Sequence, residues 1–85
     1  MDAAAMDSQL KDMMVDLLFL DLTPDEIETE TPLSEYGIDS FLMLELIVGI
    51  EETFDVRFPQ GEIKPEMLRT VASLRTAIQA KLAES

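Results

Sequence analysis

Residues 37–54 decide the fold of this chain, and they run Gly37-Ile38-Asp39-Ser40-Phe41-Leu42-Met43-Leu44-Glu45-Leu46-Ile47-Val48-Gly49-Ile50-Glu51-Glu52-Thr53-Phe54. Gly37 and Asp39 are typical of a loop end, and Ser40 follows them as the first residue of a predicted helix. One set of apolar residues recurs with the helical period of about 3.6 residues and predicts a face buried in a helical core. This core-facing set is Met43, Leu46, Ile47, Ile50 and Phe54.

The same helix carries more apolar residues than one buried face requires. Phe41, Leu44 and Val48 are spaced i, i+3, i+7 and lie on another side of the helix, where Leu42 adds further apolar surface. An exposed apolar strip bordered by carboxylates is typical of a docking surface for a basic partner. A helix packed on two sides inside a small bundle would give the same pattern. The predicted docking residues are Phe41, Leu44, Glu45, Val48, Glu51 and Glu52.

Ser40 lies at the first turn of this predicted helix. First-turn amides have no intrahelical partners, and the helix dipole is positive at that end. A phosphate esterified to Ser40 would therefore be favourably placed. The simpler interpretation is that Asp39 or Ser40 is only the N-cap of the helix.

Three short motifs resemble those of the acyl carrier proteins and the related peptidyl carriers. They are Gly37-Ile38-Asp39-Ser40, then Glu45-Leu46, then Glu51-Glu52-Thr53-Phe54, and the similarity runs from about Leu10 to Leu82. The resemblance implies that Ser40 carries a covalent phosphopantetheine arm and that Asp39 orients this site. It also implies that the helix opened by Ser40 is the main recognition helix for partner enzymes.

Two positions depart from the family pattern. Leucine most often follows the modified serine in the family, and fatty-acid carriers often have an acidic residue next, whereas this chain has Phe41 and Leu42. The departure argues against fatty-acid synthesis and favours a specialised, polyketide-like or related pathway.

The resemblance also implies the partners. A phosphopantetheinyl transferase would place the arm on Ser40, and the terminal thiol would then hold a biosynthetic intermediate as a thioester. Loading and condensing enzymes with basic docking patches would act on that cargo, which is acyl or, alternatively, aminoacyl or peptidyl. The carrier itself would be a monomer that catalyses nothing.

Composition limits the other functions of the chain. Its 85 residues, 47% hydrophobic, predict one small domain. With no cysteine and no histidine, the chain offers neither thiolate nor imidazole for a metal site or for general base catalysis near neutral pH. The formal charge of −12 argues against nucleic acid as a partner and favours basic proteins. No apolar run reaches the length of a membrane span and no secretory signal is apparent, so a cytoplasmic location is expected.

Helical periodicity also appears at both ends of the chain. Residues 1–7 are expected to be a flexible leader, although Ala3 to Met6 could extend the next helix, and residues 8–85 form the predicted carrier domain. Ser8 is the expected N-cap of a first helix ending near Leu20. Thr70 is the expected N-cap of the last helix. The apolar stripes of these helices are Leu10, Met13, Met14, Leu17 and Leu18, and then Val71, Leu74, Ile78 and Leu82.

The two connections between the helices carry their own signals. In the long segment from Asp21 to Asp39, the sequence Thr23-Pro24-Asp25-Glu26 predicts one short helical turn. A second short helix or turn is predicted between Glu62 and Leu68, with Pro65 in its first turn. The residues expected to anchor these connections on the core are Ile27, Leu33, Tyr36, Ile38, Val56 and Phe58.

Together these patterns predict an all-α protein, a small four-helix bundle with three main helices and one short helix. Two alternatives to a covalent carrier belong to other classes. A calcium sensor would need the Asp-x-Asp-x-Asp-Gly ligand spacing, which the chain lacks. A non-covalent helical adaptor would use the strip of Phe41, Leu44 and Val48 to bind a partner helix.

Overall fold

Three α-helices form the molecule in the computed structural model, which describes residues 2–84. They are α1 (Ala3–Leu18), α2 (Ser40–Phe54) and α3 (Val71–Glu84). Within residues 2–84 the other regular elements are short 3₁₀ turns, and no strand is present. The predicted all-α class with three main helices is confirmed. Met1, at the start of the predicted leader, and Ser85, at the end of the predicted domain, lie outside the described residues.

The first helix begins earlier than expected. Asp2 is its N-cap, and the Asp2 Oδ1 atom accepts a hydrogen bond from the Ala5 N–H at 2.8 Å. Met6 is buried, so the extra turn packs on the core. The prediction of Ser8 as N-cap is wrong, because a better placed carboxylate lies six positions earlier and an alanine run continues the helix between them. The alternative in which Ala3 to Met6 extend the helix is the one observed.

The end of α1 also differs from the sequence expectation. The helix stops at Leu18 rather than near Leu20, because Phe19 adopts the left-handed backbone conformation with φ of 53°. The Phe19 side chain is 90% exposed. A bulky aromatic residue in this conformation is uncommon.

The connection between α1 and α2 is pinned by its own side chains and by the next connection. It contains the predicted turn, Pro24–Glu26, and a second 3₁₀ turn, Leu33–Tyr36. The Tyr36 hydroxyl accepts a hydrogen bond from the Glu28 N–H at 2.8 Å, and the Leu33 N–H donates to the Arg69 carbonyl at 2.8 Å. The predicted anchors Ile27, Leu33 and Ile38 are buried and Tyr36 is half-buried, as expected.

The connection between α2 and α3 contains the 3₁₀ turn Gln60–Glu62. The short helix predicted between Glu62 and Leu68 takes the form of this turn followed by hydrogen-bonded turns, including Met67 N–H to Lys64 carbonyl at 3.0 Å. Pro65 lacks an N–H donor and limits a longer ladder here. Thr70 caps α3 as predicted, since its hydroxyl oxygen accepts from the Ser73 N–H at 3.1 Å. The other predicted anchors, Val56 and Phe58, are buried.

The core lies between the three helices and is entirely apolar, with no buried polar or charged residue among residues 2–84. Helices α1 and α2 approach closely at Gly49, where a Cβ atom would lie 2.4 Å from the Leu17 Cδ1 atom. None of the helices within residues 2–84 is long and apolar enough to cross a membrane. The completely buried side chains are Met6, Leu10, Met14, Ile27, Leu33, Leu46, Ile50, Val71, Leu74 and Ile78.

Two ion pairs within residues 2–84 tie α3 to the rest of the molecule. Arg75 Nε lies 3.4 Å from Asp7 Oδ1 on α1. Lys81 pairs with Glu62, and its ammonium lies 5.8 Å from the centre of the Phe58 ring. The hydrogen bond to Glu62 raises the pKa of Lys81 above its ordinary value, so this side chain stays charged at neutral pH.

Candidate functional site

Asp39 and Ser40 form the junction between the first connection and α2. Gly37 takes a left-handed conformation with φ of 79° and donates its N–H to the Ser34 carbonyl at 3.1 Å, which turns the chain toward α2. Asp39 is the N-cap, and its Oδ1 atom accepts from the Leu42 N–H at 2.9 Å. The capping interpretation therefore holds for Asp39. Ser40 is the first residue of the helix and is exposed.

The Ser40 hydroxyl makes no hydrogen bond to any of residues 2–84, so it is open to modification. The Met43 N–H donates to the Asp39 carbonyl at 2.9 Å and the Leu42 N–H to the Asp39 carboxylate. The remaining first-turn amides, those of Ser40 and Phe41, have no partner in the helix. An anion attached at Ser40 would meet these donors and the positive end of the helix dipole, a contribution of about 0.3–1 kcal/mol at an exposed position.

One cavity opens beside Ser40, and a second cavity adjoins it. We call the first the serine groove; it has a volume of about 330 Å³ and is lined by Ile38, Asp39, Ser40, Met43, Leu44 and Leu68. We call the second the arginine pocket; it has a volume of about 390 Å³ and is lined by Pro32, Leu33, Ser34, Ile38, Met43, Leu68 and Arg69. Because Ile38, Met43 and Leu68 line both, the two cavities adjoin one another along these three apolar residues.

The outer side of α2 presents the predicted second stripe to solvent. Phe41, Leu44 and Val48 are 66%, 60% and 53% exposed, so packing on two sides is wrong for these three residues. Glu45 and Glu52 are exposed beside them. We call these five residues the outer face of α2.

Two residues of α2 make contacts within the protein that the sequence did not predict. Leu42, expected to add to the exposed apolar surface, is half-buried and packs against the core. Glu51, expected to contact partners, is half-buried, and its Oε2 atom accepts a hydrogen bond from the Phe58 N–H at 2.8 Å. Glu51 therefore holds the chain after α2 in place.

Leu68 and Arg69 are the cavity residues that the sequence did not single out. Leu68 lines the serine groove and Arg69 the adjoining arginine pocket because the two connections meet, through the hydrogen bond of the Leu33 N–H to the Arg69 carbonyl and that of the Ala72 N–H to the Thr29 carbonyl at 3.1 Å. No local pattern around residues 68 and 69 signals this proximity. The exposure of Phe19 was also not predicted, because nothing in the sequence distinguishes an exposed apolar residue at the end of a helix from a buried one.

Comparison with known proteins identifies the family. The family model described as phosphopantetheine attachment site matches residues 8–78. An acyl carrier protein of Bdellovibrio bacteriovorus is 31% identical over 91% of this chain and 95% of its own length. Aminoacyl carrier protein 1 of Bradyrhizobium diazoefficiens is 34% identical over 76% of this chain and 67% of its own length.

A third relative is far longer than this chain. A segment of the polyketide synthase ThaG of Burkholderia thailandensis is 39% identical over 75% of this chain, but the match spans 1% of the synthase.

The fold of solved carrier proteins is also the same. The holo acyl carrier protein NE2163 from Nitrosomonas europaea superposes with a TM-score of 0.78 at 23% identity, covering 91% of this chain and 95% of that protein. A carrier protein from Agrobacterium tumefaciens, solved in complex with an engineered glycine:[carrier protein] ligase and AMP, gives a TM-score of 0.78 at 24% identity, with 87% and 99% covered.

The chain belongs to the phosphopantetheine attachment site family, the acyl and aminoacyl carrier proteins. Its cofactor is a covalently attached phosphopantetheine, and its role is to carry a biosynthetic intermediate on that arm. Enzymes are therefore among its partners.

Proposed function

We propose that Ser40 is the residue that carries the phosphopantetheine arm. Its hydroxyl is exposed and unpaired among residues 2–84, and the amides of Ser40 and Phe41 are free to face a phosphodiester there. Asp39 positions the serine by capping the helix through the Leu42 N–H. The observation that carries the proposal is this exposed first-turn serine directly after a capping aspartate.

The attachment reaction is catalysed by a separate transferase. The Ser40 Oγ atom forms a new bond to the phosphorus that bears pantetheine in coenzyme A, the phosphoanhydride bond breaks, and adenosine 3′,5′-bisphosphate leaves. A base on the transferase takes the serine proton. The carrier itself has no catalytic role, and its arm then holds cargo as a thioester.

The outer face of α2 is the proposed docking surface for partner enzymes. It combines three exposed apolar side chains with the exposed carboxylates Glu45 and Glu52. Such a surface fits an enzyme with a basic patch around an apolar centre, and the charges mainly accelerate association. The partners are the phosphopantetheinyl transferase and the loading and condensing enzymes. The carrier binds them as a monomer.

The pathway is proposed to be a specialised one, polyketide-like or related. The similarity to a segment of ThaG supports this, as do Phe41 and Leu42 at the two positions after the serine. Because the relatives include both acyl and aminoacyl carrier proteins, they leave both cargo classes open.

Intact mass spectrometry tests the attachment site. Incubation with coenzyme A and a promiscuous phosphopantetheinyl transferase should add one phosphopantetheinyl group to the wild type and none to Ser40→Ala. Ser34→Ala is the matched control, since Ser34 is also exposed and lines the arginine pocket. Ser8 and Ser73 should stay unmodified in a peptide map, as should Ser85, which lies outside the described residues.

Circular dichroism should show that Ser40→Ala is as helical as the parent. If the wild-type mass does not change under conditions that modify a known carrier, the covalent function is wrong, and a non-covalent adaptor using the outer face of α2 replaces it.

A further inference from the structure

The arginine pocket differs chemically from the serine groove beside it. Its wall is apolar on the side shared with the groove, where Ile38, Met43 and Leu68 lie. Its lining also includes the polar residues Ser34 and Arg69. Arg69 is the one charged residue among its lining residues, whereas the serine groove has Asp39 in that role. The two cavities therefore form a path from Ser40 across apolar surface to a cation.

The Arg69 side chain is available to a ligand. The two ion pairs within residues 2–84 are those of Arg75 and Lys81, and Arg69 belongs to neither. Its backbone is fixed, because its carbonyl accepts from the Leu33 N–H at 2.8 Å. Since that bond does not involve the side chain, the guanidinium can be changed without removing the tie between the two connections.

We propose that the arginine pocket selects the cargo by the chemistry of its far end. The cargo is an acyl group with an apolar stem that lies along Ile38, Met43 and Leu68 and a hydrogen-bond acceptor, best a carboxylate, that meets Arg69. The proposal rests on attachment at Ser40, because an arm held there and folded back along the serine groove brings the thioester to the arginine pocket.

The chemistry of the pocket also disfavours other cargo. A carboxylate receives charge-assisted hydrogen bonds from a guanidinium, in a planar geometry that lysine cannot reproduce. A cargo that ends in an ammonium group meets a like charge in the same place. A purely alkyl chain packs against the apolar residues but leaves the guanidinium without a hydrogen-bond acceptor in the pocket.

The size of the effect is limited by solvent. Arg69 is exposed, so its attraction for a carboxylate is screened by water. A contact of that strength in a domain of this size corresponds to a difference in melting temperature of about 2–5 °C.

The test compares three cargoes of equal chain length on the intact protein. A promiscuous phosphopantetheinyl transferase loads the wild type with adipoyl-, hexanoyl- or ε-aminohexanoyl-coenzyme A, which end in a carboxylate, a methyl and an ammonium group. The melting temperature of each form is then measured for the wild type, Arg69→Gln, Arg69→Lys and Lys64→Gln. Lys64 is the matched control, because it is an exposed cation on the same connection that lines neither cavity.

We expect Arg69→Gln to lower the melting temperature of the adipoyl form by about 2–5 °C more than that of the hexanoyl form. The same Arg69→Gln substitution should lower the melting temperature of the ε-aminohexanoyl form less than that of either other form. Arg69→Lys should lower the melting temperature of the adipoyl form less than Arg69→Gln does. Lys64→Gln should change the melting temperatures of all three forms equally. Equal losses in all three forms of Arg69→Gln overturn the selection by Arg69 while leaving attachment at Ser40 intact. Failure of the wild type to accept any cargo overturns both proposals.

Discussion

Gly37 sets the direction in which the chain enters the Ser40 helix. Its φ of 79° lies in the left-handed region, and a Cβ atom added there would meet nothing within 4 Å. Any cost of a side chain at this position therefore comes from the backbone conformation itself. For an L-residue other than glycine, that cost is about 1–2 kcal/mol.

We predict that Gly37→Ala lowers the free energy of unfolding by about 1–2 kcal/mol in urea denaturation. Gly61→Ala is the control, because a Cβ atom there also meets nothing and Gly61 has no positive φ. It should leave the denaturation midpoint nearly unchanged. Equal midpoints for the two variants would show that the Gly37 conformation is not retained in solution.

The site residues that the sequence predicts are those whose roles depend only on their neighbours in the chain. Asp39 and Ser40 could be placed because a capping aspartate and a first-turn serine are recognised from adjacent residues. Arg69 could not be placed in the arginine pocket, because a backbone hydrogen bond between distant connections, that of the Leu33 N–H to the Arg69 carbonyl, brings it there. Backbone hydrogen bonds of this kind involve no particular side chain and leave no pattern in a single sequence.

Among the elements, α2 carries glutamates with different roles, of which one makes a hydrogen bond within the protein and two are exposed to solvent. Glu51, near its C-terminus, accepts from the Phe58 N–H at 2.8 Å, while the Glu51 carbonyl accepts from the Val56 N–H at 3.2 Å. Glu45 and Glu52 are exposed on the outer face. Charge reversal should therefore affect stability at Glu51 and association with partner enzymes at Glu45 and Glu52.

We predict that Glu51→Lys destabilises the fold by about 1–3 kcal/mol, because a half-buried amide loses an ionised acceptor. The double variant Glu45→Lys, Glu52→Lys should be at least as stable as the wild type, because it lowers the net negative charge, and the transferase should modify it several-fold more slowly through the association rate. Thermal unfolding and stopped-flow kinetics measure the two effects separately.

Glu51→Gln is the control for the first effect, since its amide oxygen can still accept from Phe58 and should preserve most of the stability. A Glu51→Lys variant that unfolds like the wild type would refute the structural role. A double variant that is folded and modified at the wild-type rate would mean that the docking surface lies elsewhere.

The helices also show which features the sequence pattern predicts correctly and which it does not. The two apolar stripes of α2 were predicted because periodicity alone distinguishes its faces. Leu42 was misplaced, since its partial burial against the core depends on tertiary packing that the spacing of apolar residues along α2 does not reveal. The start of α1 was misplaced because both Asp2 and Ser8 are good capping residues, and the choice between them depends on Met6 reaching the core.

For the molecule as a whole, the excess of acidic over basic residues gives a large net negative charge. A formal charge of −12 lies on a body of 34 × 26 × 21 Å. The screening length is about 30 Å at 10 mM salt and about 10 Å at 100 mM. Carboxylates on opposite sides of the molecule therefore repel one another in dilute buffer, whereas at 100 mM salt only close neighbours do.

We predict that the melting temperature rises between about 10 mM and about 100 mM sodium chloride, and that magnesium has the same effect at lower concentration. Differential scanning calorimetry measures this at constant pH. A variant with Asp12 and Asp16 changed to asparagine is the control, because both are exposed and the lower charge should weaken the salt response. A flat response in the wild type would show that self-repulsion does not limit stability.

Tyr36 gives this molecule a single optical reporter beside Ser40. The chain contains one tyrosine and no tryptophan. The phenol is anchored by the Glu28 N–H in the connection that leads into α2. Its emission and the tyrosine band of the near-ultraviolet dichroism therefore report on that connection, whereas the four phenylalanines of the chain contribute at shorter wavelengths. Opening of the loop while an arm is attached or a cargo is exchanged can be followed in real time by tyrosine spectroscopy, without introducing a dye.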